Sequence, residues 1–150
     1  MKLIHKIYGT GQPLIIMHGL FGSGDNWRSI ARMMEPHYQS IVVDMRNHGR
    51  SPHDPEMNFQ VMADDILELM TDLKLEKVSL LGHSMGGKVA MQFSFLHPDL
   101  VEKLIVVDIA PKYYPPHHDV VIEAIESIDP KQLTDRMEAE NAMARFLGND

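Results

Sequence analysis

The sequence predicts an α/β fold, a doubly wound and mostly parallel sheet, and three features predict it. Short apolar runs alternate with stretches of helical period from Leu14 to Val107. Composition is that of a folded domain, with 44% hydrophobic and 23% charged residues. At Val78 to Ala90 the change from strand to helix period is compressed around Gly82-His83-Ser84-Met85-Gly86.

Leu3 to Tyr8 alternates weakly and reads as an edge strand, closed by the Gly9-Thr10-Gly11 turn. Leu14 to Met17 is a more buried strand that runs into His18-Gly19-Leu20-Phe21-Gly22-Ser23-Gly24. Asp25 is placed to cap the following helix, whose apolar face is Trp27, Ile30, Ala31 and Met34. Ile41 to Val43 forms the next strand and ends at Asp44, ahead of the polar loop Arg46 to Pro52. Asn58 caps a long helix with Phe59, Met62, Ala63, Ile66, Met70 and Leu73 on one face. After the central strand, Val78 to Leu81, a helix runs to about His97, because Pro98 disfavours helix at the residue before it. Leu104 to Val107 is a further strand, closed by Asp108-Ile109-Ala110-Pro111.

From Lys112 the pattern changes, giving a core over 1–111 and a helical region over 112–150. Tyr113 to His118 is a proline-stiffened loop, and Pro130 behind Asp129 marks a helix start. Two amphipathic segments, one with Val121, Ala124, Ile125 and Ile128 and one with Ala139, Ala142, Met143 and Phe146, read as the beginning of a lid.

A net charge of −7 without a basic run argues against nucleic acid or an anionic membrane as partner. No apolar stretch reaches the ~18 residues of a spanning helix, and the N-terminus lacks a signal-type apolar segment. The absence of cysteine excludes disulfide and thiol chemistry and is compatible with a cytoplasmic setting. Of the 12 methionines, Met17, Met45 and Met85 lie beside the candidate site, where a soft wall suits varied acyl groups.

The glycines two before and two after Ser84 leave room for a strained turn that lifts its hydroxyl clear at a helix N-terminus. Unpaired amides and the positive helix end there favour a developing oxyanion. Serine also needs a base, an acid to orient it and a second oxyanion donor. Met85 N–H is the first donor, and the second falls to Leu20, with Phe21 as runner-up. Asp108 is either the acid or a turn residue, while Asp44 is the better organiser of the Arg46 to Ser51 loop. His18, Phe21, Arg46 and His83 are the expected pocket residues. The base is not evident: only His117 and His118 follow Asp108, in a loop better read as solvated.

His18 to Ser23, Asp44 to Gly49, Gly82 to Lys88 and Val107 to Pro111 occur in an order and spacing that resembles the α/β-hydrolase superfamily. The match is closest to small cap-bearing esterases of the YbfF-like type. The resemblance implies a sheet of the α/β-hydrolase type, incomplete on its C-terminal side, and hydrolysis of carboxylic esters or acyl-CoA thioesters. Ser84 would be the nucleophile, Asp108 the acid, Leu20 and Met85 the oxyanion donors, with no cofactor and no metal. Such hydrolases continue for about another hundred residues. The chain therefore reads as the first part of an esterase, with the catalytic histidine beyond Asp150, and as nearly inactive alone.

Other readings stay open. A non-catalytic hydrolase-like domain would explain the missing base. A nucleotide-binding module would use Gly19, Gly22 and Gly24 with Asp44 as ribose ligand, although the spacing is G-x-x-G-x-G. Peroxidase, lyase and C–C hydrolase chemistry would use the same serine. The His48, His53, Asp54 and His117, His118, Asp119 groups match no metal-ligand spacing.

Overall fold

Strands of this chain pair in the order β1-β3-β2-β4-β5, formed by His5–Tyr8 (β1), Gln12–Met17 (β2), Tyr38–Val43 (β3), Val78–His83 (β4) and Val101–Val107 (β5). β1 is antiparallel to β3, and every other pairing is parallel. The computed structural model describes residues 1–114 and 119–129, together with 135, 137, 138 and 141.

The helices are Arg28–Met34 (α1), Phe59–Asp72 (α2), Met85–Leu96 (α3) and Asp119–Glu126 (α4). Strand periodicity sorts the apolar residues to two faces. Ile15, Met17, Ile41, Val43, Val78 and Leu80 pack against Met62, Ile66 and Met70 of α2 and Val89, Ala90 and Phe93 of α3. Leu14, Ile16, Val42 and Leu81 pack on the other face against Ala31 of α1. Buried on both faces, the inner strands read as continuous apolar runs rather than alternating ones.

The connection from β2 to β3 runs to one side of the sheet, and that from β3 to β4 returns across β2 to the other. The switch point therefore lies between the C-terminal ends of β2 and β4, where open α/β sheets bind their ligands. Asn58 caps α2 as expected, its Oδ1 accepting from Val61 N–H at 2.9 Å. Asp25 does not cap α1. A 3-10 turn, Gly24–Trp27, comes first, and its start is closed by the Asn26 side chain accepting from Ser23 N–H at 2.7 Å. The Asp25 carboxylate instead pairs with Lys6 and Arg50, and its hydrogen bond to Lys6 holds its pKa below the ordinary value.

The chain divides into two units, Met1–Pro111 and Lys112–Asp150. In the second, α4 is described. Pro115 to His118, Pro130 and most of the segment from Ala139 to Phe146 lie outside the described residues. No helix among the described residues is long and apolar enough to cross a membrane.

Candidate active site

One residue separates β4 from α3. Ser84 has φ 50° and ψ −112°, a conformation that costs a non-glycine residue on the order of 1–3 kcal/mol. The flanking glycines permit it. A Cβ at Gly82 would stand 2.2 Å from the Gly86 carbonyl oxygen, and one at Gly86 would stand 2.5 Å from that of Met17. Two hydrogen bonds hold the turn from either side, Ser84 N–H to Val107 O at 3.0 Å and Gly86 N–H to His18 O at 3.1 Å. Met85 opens α3, so its N–H has no acceptor within the helix.

The loop after β2 lies against this turn. A Cβ on Gly19 would sit 3.4 Å from Ser84 Cβ and 2.9 Å from His83 Nδ1, so only glycine lets the loop approach so closely. Gly22 N–H closes the loop on Gly19 O at 3.0 Å, and Phe21 is forced to φ 60°. Among the described residues, neither Leu20 N–H nor Phe21 N–H has a protein acceptor. Two loops from different strands thus bring unbonded amides to the neighbourhood of one serine.

His18 is the anchor of this loop. Its Nε2 accepts from Met45 N–H at 3.0 Å, so the proton resides on Nδ1, which donates to Gly19 O at 2.7 Å. Burial disfavours the imidazolium and pushes the His18 pKa down, and the neighbouring His48 acts in the same direction. His18 borders the pocket, but with both ring nitrogens engaged it positions backbone and has none left for a ligand.

Arg46 departs further from expectation. It is buried, with Nε and Nη2 donating to the two carboxylate oxygens of Asp65 at 2.6 and 2.9 Å and Nη1 donating to Glu56 O. The Asp65 hydrogen bond raises its pKa. Arg46 lines neither of the cavities described below, so its place is a strut between the loop after β3 and α2. Asp44 organises its loop as expected, accepting from Gly24 N–H at 2.7 Å and Arg50 N–H at 2.9 Å. That engagement turns the carboxylate away from a ribose-binding role.

Asp108 follows β5 at φ 57°, with its carboxylate largely exposed and 3.6 Å from His83 Nε2. The His83 ring lies 6.1 Å from that of Trp27. Both border a cavity of about 490 Å³ with His18, Leu20, Phe21 and Asn26. A second cavity of about 390 Å³ shares Leu20, Phe21 and Gly22 and is otherwise lined by Asn47, His48, Gly49 and Met57. The structure thus brings Ser84, the Leu20–Phe21 loop, His83 and Asp108 to one end of the sheet. His117 and His118 lie outside the described residues.

A family model described as alpha/beta hydrolase fold matches residues 12–140. The chain belongs to the alpha/beta-hydrolase family. Esterase YbfF of Escherichia coli is 39% identical over 142 residues, which are 94% of this chain and 56% of YbfF. The sn-1-specific diacylglycerol lipase ABHD11 of Danio rerio is 38% identical over 147 residues, 93% of this chain and 46% of the relative. A solved marine microorganism esterase superposes with a TM-score of 0.92 at 46% identity, over 99% of this chain and 59% of its own. This alpha/beta hydrolase chain spans about half the length of such relatives.

Sequence reasoning alone did not place Trp27 and Asn26 in a cavity wall. They follow the glycine loop directly, and the only cue was that adjacency.

Proposed function

We propose that this alpha/beta hydrolase belongs to an enzyme that cleaves carboxylic esters, and acyl-CoA thioesters by the same route, through an acyl-enzyme on Ser84. One observation carries the reading: Ser84 is held at φ 50° between a strand and a helix N-terminus, beside a loop in which Leu20 N–H and Phe21 N–H have no acceptor among the described residues. A base removes the Ser84 Oγ proton as Oγ attacks the carbonyl carbon. The resulting oxyanion is received by Met85 N–H and Leu20 N–H, preorganised donors each worth about 10²–10³ in rate. The base then protonates the leaving alcohol or thiol, and water repeats the sequence to free the acid.

Asp108 is the residue assigned to orient that base, and the base is a histidine outside the described residues. The region from Lys112 is read as the beginning of a lid. The relatives named esterase and diacylglycerol lipase agree with an ester substrate. Active-site labelling of the full-length protein with a fluorophosphonate, combined with butyrate ester turnover, tests the reading. Ser84→Ala is expected to abolish labelling and lower turnover by around 10⁶. Labelling that survives Ser84→Ala, or a wild-type protein that neither labels nor turns over esters, overturns it.

A further inference from the structure

The cavity of about 490 Å³ lies beside Ser84, because two of the residues that line it adjoin the strained turn. His83 precedes Ser84 in the chain, and a Cβ on Gly19 would stand 3.4 Å from Ser84 Cβ. A substrate whose carbonyl carbon reaches Ser84 Oγ therefore has this space next to it. The polar side chains of the wall are already committed. Both His18 ring nitrogens are taken, by Met45 N–H and Gly19 O, and Asn26 Oδ1 accepts from Ser23 N–H. His83 Nε2 faces the Asp108 carboxylate at 3.6 Å.

Ring surface is what the wall offers instead. The Trp27 and His83 rings lie 6.1 Å apart at a tilt of 54°, within the range of aromatic pairs. Phe21, in the same wall, keeps its ring 59% exposed on a backbone at φ 60°, a region that bulky residues seldom adopt. Strain retained under an exposed apolar ring, at the rim of a cavity, points to function rather than to packing. We infer that Trp27 is a specificity-determining residue: with Phe21 and His83 it forms a subsite for an aromatic ring of the substrate, so that the preferred esters carry an aryl group a few bonds from the scissile carbonyl. This rests on the esterase reading above. An aromatic wall has a signature that a merely apolar one lacks. Cyclohexyl presents more apolar surface than phenyl, so burial alone favours the cyclohexyl ester. Pairing between ring quadrupoles favours the phenyl ester.

The test compares kcat/KM of the full-length protein within two pairs in which the ring is insulated from the reacting carbonyl. Phenylethyl butyrate against cyclohexylethyl butyrate places the ring on the alcohol arm. Methyl phenylpropanoate against methyl cyclohexylpropanoate places it on the acyl arm. Wild type is expected to prefer the phenyl member of one pair by on the order of fivefold. Trp27→Leu keeps the wall apolar but removes the indole, and should bring that ratio to about one or below. Trp27→Phe keeps a ring there and should retain the preference. Using the ratio within each variant removes any loss of folded protein. Equal or reversed rates in both wild-type pairs, a ratio unchanged in Trp27→Leu, or one lost as fully in Trp27→Phe as in Trp27→Leu, overturn this inference while Ser84-dependent turnover leaves the esterase reading standing. If no ester is turned over and Ser84 is unlabelled, both fall together.

Discussion

A single buried imidazole shows how the loop after β2 is held by a side chain whose polar atoms are already engaged. His18 pins the Leu20–Phe21 loop through Gly19 O and Met45 N–H, and it does so as a neutral ring. Because burial lowers its pKa, the unfolded chain takes up a proton near the ordinary value of 6.5 while the folded chain does not. The stability it contributes is present above about pH 6.5 and is lost as pH falls toward the folded-state value. Urea midpoints measured on both sides of that pH should fall on acidification, and His18→Asn should flatten the slope even though it lowers stability throughout. The strained turn at Ser84 was legible in the sequence because its two glycines have a steric reason that no other residue satisfies. The roles of His18 and Arg46 were not, because a motif places a residue beside a site without showing which atoms its polar groups already hold.

At the scale of elements, the Arg46–Asp65 pair joins the loop after β3 to the middle of α2. Both side chains are buried, and Asp65 Oδ1 also accepts from the Met1 ammonium, so removing the carboxylate takes the counter-charge from a buried guanidinium and from that ammonium together. Asp65→Asn is expected to cost about 3–5 kcal/mol, read from chemical denaturation. If Asp65→Asn denatures at the wild-type midpoint, the pair is not the strut described. The periodicity of α2 exposed its apolar face in the sequence, but not that Asp65 is buried beside that face. Its partner lies 19 residues earlier, a separation that no helical or strand period encodes.

At the scale of the whole sheet, its doubly wound and mostly parallel character was legible in the sequence, whereas the strand order β1-β3-β2-β4-β5 was not. Alternation of short apolar runs and amphipathic helices gave the doubly wound core, because buried parallel strands and one-sided helices leave different periods. β5 differs from the inner strands: it lies at the edge of the described sheet with Leu104, Ile105 and Val107 exposed. An exposed apolar edge strand is a template for pairing with other chains. The 150-residue chain should self-associate as concentration rises, seen by light scattering, and Leu104→Lys should reduce it. Concentration-independent scattering by the wild-type chain would count against that edge being open.

The seam between the two halves of the sheet carries its own gauge. Trp27, the chain's one tryptophan, follows β2, whereas His83 closes β4, and their rings meet at a tilt of 54° across the junction. Parting of the halves separates that pair, so indole emission should shift at the same denaturant concentration at which helical ellipticity is lost. The strained turn at Ser84 would then have no folded but disassembled form in which to persist.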